Sequence, residues 1–283
     1  MTLGLVLSIF PGIDLLGRAF EEEGYCLVRG PDLLWGGDIR TFHPPAGVFE
    51  GVIGGPPCQA FSALRHLIRH NGHEPKFGNM IPDYERVVFE AQPEWFLMEN
   101  VPDAPVPDVE GYVTKAMLIR DKWVGGVQPR PRRFSFGTRD GRELDIEWAA
   151  LMRPGSGETV GTMGYGIMYE GSGRTRRSVG GDPRVASTGD RVRSKEKGGG
   201  VLPNTGRVLP IEDACEAMGL PRDFTEHMPF TMQGKRSVIG NGVPMAMGRA
   251  VARAVRRATG DLQPKADPPT AEGDRELPEG GAR

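Results

Sequence analysis

The sequence predicts an α/β fold with a mostly parallel sheet and a second, small loop-rich lobe. Short apolar runs alternate with helical stretches along the first part of the chain, as in strands joined by crossover helices. A Gly-, Arg- and Ser-rich stretch between Pro154 and Pro203 interrupts this alternation. The 283 residues suffice for one α/β domain of roughly 200 residues and a small additional lobe.

Hydrophobic patterns and Gly or Pro breakers place the individual elements. We predict strands over 3–9, 25–28, 51–54 and 95–98, a further strand into which the segment 128–134 leads, and helices over 15–23, 83–91, 211–218 and 245–258. Parallel sheets place ligands at the carboxyl ends of their strands. Phe10, Cys58 and Glu99 each follow a predicted strand, so we expect them at one edge of the sheet.

These elements divide the chain into four segments. Residues 1–145 form the first part of a catalytic domain, and 146–206 form a small recognition region. The chain returns to the catalytic domain over 207–260, and 261–283 form a Pro- and Glu-rich tail that we expect to be disordered.

Composition limits the class of protein. No apolar run reaches the ~18 residues of a membrane span, and the start carries no basic leader, so we expect a cytoplasmic protein without membrane contact. The three cysteines form no CxxC pair, which argues against a disulfide scaffold and a Cys-rich zinc site. The formal net charge is −2, but residues 170–200 contain eight Lys or Arg against four acids. Such local positive charge suits a nucleic-acid contact.

The strongest local signal is the loop Gly54-Gly-Pro-Pro-Cys58-Gln-Ala-Phe-Ser62, which directly follows a predicted strand. Glycines permit close backbone approach, and the two prolines make the turn rigid. A lone cysteine is commonly a small buried hydrophobe, and the loop alone leaves a catalytic thiol and a structural thiol about equally favoured.

Four further motifs are weak when taken singly. Each has an ordinary structural explanation: Glu99 could cap a loop, the Gln128 segment could be a solvated basic run, and Phe10 could simply pack in the core. They are Ser8-Ile-Phe-Pro-Gly-Ile-Asp14, Glu99-Asn-Val101, Gln128-Pro-Arg-Pro-Arg-Arg-Phe134 and Ile239-Gly-Asn-Gly-Val-Pro244. Their order along the chain is more informative than any one of them.

In that order the motifs resemble those of the cytosine-C5 DNA methyltransferases, and the resemblance covers about residues 3–258. It implies a Rossmann-like methyltransferase fold with a target-recognition lobe, the cofactor S-adenosylmethionine (product S-adenosylhomocysteine) and a double-stranded DNA substrate. It also implies base flipping, because the target cytosine is stacked inside a duplex.

The resemblance assigns catalytic roles to four residues. Cys58 would add to C6 of cytosine as a thiolate, which requires a lowered pKa from nearby Arg and a helix start. Glu99 would act at N3 and at the exocyclic amine. Arg130 would steady the base and Glu99, and Arg132 would help to position the site.

Cofactor contacts implied by the resemblance come from several loops. The predicted set is Phe10, Gly12, Ile13, Asp38, Ile39, Pro56, Met80, Asn241, Gly242 and Val243. The acidic residue expected after the second strand is replaced by Arg29-Gly-Pro31, and Asp32 is the candidate substitute.

DNA contacts are expected from the loop after the nucleophile and from the basic recognition region. The predicted residues are Ser62, Arg65, Arg69, Arg174, Arg176 and Arg177. His66 and His70 have a spacing compatible with a metal, but no carboxylate cluster accompanies them, so we predict no metal site.

Two other functions remain open at this point: an RNA cytosine-C5 methyltransferase, and a catalytically silent DNA-binding paralogue. A monomer is expected, in a bacterial nucleoid or a phage-infected cell. The short recognition region predicts a short or loosely specified target. The sequence does not identify that target, a cognate restriction enzyme, or the group that removes the C5 proton.

Overall fold

The computed structural model describes residues 4–61, 78–128, 130–149 and 210–260. The expected recognition region and tail therefore lie outside the described residues, apart from the first few positions of the former. Within the described ranges, no helix is both long enough and apolar enough to cross a membrane.

A six-stranded sheet in the order β2-β1-β3-β4-β6-β5 forms the centre of the fold. The strands β1 to β4 run parallel, while β6 pairs antiparallel with both β4 and β5. The strand bounds are Leu5–Ile9 (β1), Cys26–Arg29 (β2), Gly51–Gly54 (β3), Trp95–Asn100 (β4), Val113–Arg120 (β5) and Pro131–Thr138 (β6). The predicted α/β class with a mostly parallel sheet is confirmed.

Helices cover both faces of this sheet. Their bounds are Leu15–Glu22 (α1), Ile81–Ala91 (α2), Ile211–Ala217 (α3), Met232–Asn241 (α4) and Met245–Thr259 (α5). On one face, Trp95 and Leu97 of β4 pack in a core with α1 and α5. On the other face, Phe96 and Met98 share a core with α2. Burial on both faces explains why β4 reads as a continuous apolar run.

Two elements were absent from the sequence prediction. β5 is an edge strand with mostly exposed side chains, so it lacks the apolar signal of a core strand. α4 is polar, and only Ile239 and Gly240 are buried. Backbone pairing with β6 stabilises β5. The N-cap Thr231 stabilises α4.

Gly51 provides a test of the packing between β3 and β4. A Cβ atom at this position would lie 2.2 Å from the fully buried ring of Trp95. We expect Gly51→Ala to lower the free energy of unfolding by about 1–3 kcal/mol, because the core cannot accommodate the extra methyl group. Urea denaturation measures this difference.

Gly78→Ala is the matched control, because no described atom lies within 4 Å of its added Cβ. It should leave stability unchanged or raise it slightly. Equal stability of the two variants would contradict this account of the sheet.

Candidate active site

The loop that carries Cys58 packs directly against two neighbouring strands. A Cβ on Gly54 would lie 2.6 Å from the carbonyl oxygen of Ile9, and one on Gly55 would lie 3.1 Å from Oε2 of Glu99. Asn100 of β4 donates its side-chain amide to the carbonyl of Pro56 at 3.1 Å. The absence of side chains at positions 54 and 55 therefore allows the loop to approach β1 and Glu99 this closely.

Glu99 forms a buried ion pair with Arg132. The Arg132 Nε atom lies 2.7 Å from Glu99 Oε1, and little of either side chain is exposed. In the β4–β6 register Glu99 lies opposite Phe134. Arg132, two residues away on the same face of β6, is therefore the diagonal neighbour that can reach Glu99.

The pKa values of Glu99 and Cys58 both reflect burial. Burial raises the pKa of Glu99, while Arg132 and Arg130 hold it down. Burial also raises the pKa of the Cys58 thiol, with Arg132 opposing the rise and Glu99 adding to it. The expectation of a lowered thiol pKa is therefore wrong for the protein without substrate, because desolvation of the thiolate exceeds the effect of the nearby guanidinium groups.

The buried guanidinium of Arg130 contacts the end of α4. It donates from Nη2 to the carbonyl oxygens of Gly240 at 2.5 Å and Gly242 at 3.2 Å. Burial and the charge of Arg132 lower its pKa to about 9, while Glu99 and Cys58 oppose this shift. Arg132 forms an ion pair with Glu99, and the charge of Arg130 also lowers the pKa of Glu99. The role of Arg130 in steadying the base and Glu99 stays a prediction.

A cleft of about 200 Å³ lies at the carboxyl end of β1. Phe10, Asp38, Ile39 and Met80 line it, which brings four of the ten predicted cofactor residues together. Pro31, Asp32, Leu33, Gly37, Arg40 and Gly78 complete the lining.

The other six predicted cofactor residues do not line this cleft. Gly12 and Ile13 lie in the turn between β1 and α1, and Pro56 belongs to the Cys58 loop. Asn241, Gly242 and Val243 follow α4, where a Cβ on Gly242 would lie 2.5 Å from the side chain of Leu15. The chain at Gly242 therefore packs closely against the start of α1.

Asp32, the candidate substitute for the expected acidic residue, lines the cleft together with Asp38. Its Oδ2 accepts from the backbone N–H of Gly12 at 2.8 Å, and its Oδ1 accepts from Leu34 at 2.7 Å. The indole N–H of Trp35 donates to the carbonyl of Gly12 at 2.7 Å. Asp32 and Trp35 thus fix the turn that carries Gly12.

Arg29, which stands where an acidic residue was expected, pairs with Asp14. Arg29 Nε lies 2.9 Å from Asp14 Oδ2. Asp14 Oδ1 accepts from the hydroxyl of Ser8 and the backbone of Gly17, at 2.8 and 3.1 Å. Asp14 is the left-handed N-cap of α1. Sequence reasoning missed this pairing because the two residues belong to different elements, the end of β2 and the N-cap of α1.

All six predicted DNA-contacting residues lie outside the described residues. They are Ser62, Arg65, Arg69, Arg174, Arg176 and Arg177. His66 and His70, considered for a metal, lie in the same undescribed range as Arg65. Their roles stay predictions.

The site therefore brings a thiol, a buried carboxyl group and two guanidinium groups to one edge of the sheet, on the side where a small-molecule cleft opens. A thiol can act as a nucleophile, and a carboxyl group with a raised pKa is a better proton donor than an ordinary carboxylate. The arrangement suits covalent attack on an electron-poor ring.

Comparisons with known proteins agree with this chemistry. The model of the C-5 cytosine-specific DNA methylase family matches residues 36–152. The type II methyltransferase M.HgiDI of Herpetosiphon aurantiacus is 32% identical over 171 residues, which cover 50% of this chain and 54% of the relative. M.NgoPII of Neisseria gonorrhoeae is 26% identical over 176 residues, covering 51% and 50%. The chain thus spans about half the length of these curated relatives.

A solved structure, that of the Entamoeba histolytica methyltransferase EhMeth, shares the fold with a TM-score of 0.55 at 12% identity. The superposition covers 93% of this chain and all of the other, and it supports the Rossmann-like methyltransferase architecture. The segment matched by the family model contains Cys58, Glu99, Arg130 and Arg132. The candidate catalytic residues therefore lie in the part of the chain that resembles the C-5 cytosine-specific DNA methylases.

Proposed function

We propose that the protein transfers a methyl group from S-adenosylmethionine to C5 of cytosine in double-stranded DNA. The observation that carries this proposal is the position of Cys58 beside the buried Glu99–Arg132 pair. The family match and the relatives named as DNA methyltransferases support the reaction class and the DNA substrate.

The lining of the cleft at the end of β1 suits the cofactor chemically. Phe10, Ile39 and Met80 offer apolar contacts to the adenine base and to the aliphatic part of the methionine chain, and Asp32 and Asp38 offer acceptors to hydroxyl or amino groups. S-adenosylmethionine, when bound, supplies an electrophilic methyl group.

Cys58 performs the covalent step in this proposal. Its thiol loses a proton, and the sulfur forms a bond to C6 of the cytosine. Arg132 and Arg130 stabilise the thiolate, because both guanidinium charges lower the thiol pKa. Addition at C6 makes C5 electron-rich enough to attack the methyl group, after which loss of the C5 proton and of Cys58 restores the aromatic ring.

Glu99 compensates the charge that develops at N3 of the ring. Because burial raises its pKa, Glu99 is protonated more readily than an exposed carboxylate, and the protonated form donates to N3. Arg132 holds the carboxyl group in place at 2.7 Å. The other carboxyl oxygen can accept from the exocyclic amine, which selects cytosine over thymine.

The covalent step predicts a trapped complex. We expect DNA in which 5-fluorocytosine replaces cytosine to form a denaturation-resistant adduct with the wild-type protein in the presence of S-adenosylmethionine, because fluorine blocks loss of the C5 substituent. Long DNA made with the fluorinated nucleotide presents every short target. Gel electrophoresis under denaturing conditions detects the adduct.

Cys58→Ser should abolish this adduct. Cys26→Ser is the matched control, since Cys26 is exposed on the edge strand β2 and should be dispensable. Binding of DNA without an adduct would indicate the silent DNA-binding paralogue. An adduct with 5-fluorocytosine RNA alone would indicate the RNA methyltransferase.

Thiol reactivity provides a pH test of the site. Because burial raises the pKa of Cys58, its thiolate fraction should grow mainly at alkaline pH, with a midpoint above the ~8.5 of an ordinary thiol. Arg132→Gln removes the main group that lowers this pKa, so the midpoint should move to still higher pH. Peptide-resolved mass spectrometry of iodoacetamide labelling measures both midpoints.

Labelling of Cys26 in the same samples controls for reagent activity at each pH. A Cys58 midpoint below about 8, or one that Arg132→Gln shifts downward, would contradict the electrostatic account.

A further inference from the structure

A second buried carboxyl group lies in the turn that leads to Arg130. β5 ends at Arg120, and Asp121 begins a short 3₁₀ turn over Asp121–Val124. Asp121 is fully buried, although Gly125 and Val127 in the same turn are exposed. Burying a carboxyl group is unfavourable unless it is hydrogen-bonded or paired with a charge, so its contacts indicate why it lies there.

The contacts of Asp121 hold the two ends of the turn together. Its Oδ2 accepts from the backbone N–H of Gln128 at 3.0 Å. Its backbone N–H donates to the carbonyl of Arg130 at 3.2 Å, and its carbonyl accepts from Gly126 at 2.9 Å. Among the described residues, Oδ1 has no hydrogen-bond partner.

The Asp121 carboxyl group occupies the space that a side chain at position 126 would need. A Cβ at position 126 would lie 2.1 Å from the Asp121 carboxyl carbon and from Oδ1. Gly126 is not among the residues with a positive φ, so the space taken by Asp121 is what excludes a side chain here. The turn and the buried carboxylate therefore depend on each other.

The turn connects this carboxylate to the active site. The Gln128 side chain donates to the carbonyl of Ala217 at 2.9 Å, which ties the turn to the end of α3. Arg130 follows two residues later and reaches the carbonyl of Gly240. The negative charge of Asp121 raises the pKa of Arg130. It thereby partly compensates the positive charge of Arg130, which is buried near the Glu99–Arg132 pair.

We propose that Asp121 is a positioning residue, whose carboxylate fixes the turn over residues 121–128 so that Arg130 faces Cys58 and Glu99. The kinetic consequence rests on the proposed methyltransferase function, whereas the structural consequence does not. Burial raises the pKa of Asp121 to about 6, and the Gln128 N–H and Arg130 oppose the rise. The group is thus ionised at neutral pH, as an electrostatic partner of Arg130 must be.

The test combines Asp121→Ala, Gly126→Ala and the double variant. We expect Asp121→Ala to lower kcat by about tenfold or more with the KM for S-adenosylmethionine changed less than about threefold, because misplacement by ~1 Å can cost two orders of magnitude in rate. Gly126→Ala should also lower kcat, since its methyl group displaces the carboxylate. The kcat of the double variant should lie less than about twofold below that of Asp121→Ala, whereas independent effects of the two substitutions would multiply.

Labelling of Cys58 by iodoacetamide provides a readout that needs no methyl transfer. We expect Asp121→Ala to slow Cys58 labelling at pH 8 by about threefold or more, because a displaced Arg130 no longer favours the thiolate. Labelling of Cys26 should not change. Asp121→Asn, which keeps the size of the side chain, repeats both measurements if the alanine variant fails to fold.

Tyr25→Phe controls for stability alone. It removes a buried hydroxyl near Thr259, at the opposite end of the sheet from Cys58, and should leave kcat and labelling unchanged. Wild-type kcat and Cys58 labelling in the Asp121 variants, or multiplicative effects of Asp121→Ala and Gly126→Ala, would overturn the proposal. A wild-type protein without methyl transfer would overturn the proposed function instead, and the labelling rates would then decide the role of Asp121.

Discussion

The rest of the site depends on the buried ion pair between Glu99 and Arg132. Two charges removed from water are stable only when each is paired and held in good geometry. The antiparallel β6 supplies that geometry, because it returns alongside β4 and places Arg132 diagonally across from Glu99. The Cys58 loop packs against the same carboxyl group through Gly55. Sheet topology thus fixes the acid, its cation and the nucleophile together.

The main features of this site could be predicted from local sequence. The parallel strands and the placement of Phe10 and Cys58 follow from apolar runs that end in Gly or Pro. Glu99 was also expected at this edge, and it is the penultimate residue of β4. The ion pair of Glu99 with Arg132 could not be predicted, because it depends on the register of β6 against β4.

Other features depend on pairs of residues from separate elements. Asp14 at the N-cap of α1 and Arg29 at the end of β2 form an ion pair, and Asp32 enters the cleft by binding the backbone of Gly12. No periodicity or spacing connects these partners in the sequence. The raised pKa of Cys58 is likewise a property of the folded surroundings, since burial exceeds the effect of the nearby arginines.

We propose that Cys58 and the Glu99–Arg132 pair carry the methylation of cytosine in DNA. Bisulfite sequencing of a plasmid expressed with the wild-type protein tests it most directly, with Glu99→Gln as the near-isosteric comparison. The account predicts methylated cytosines in one short sequence context with the wild type, and strong loss of that methylation with Glu99→Gln. A wholly unmethylated plasmid, or equal methylation by both proteins, would contradict it.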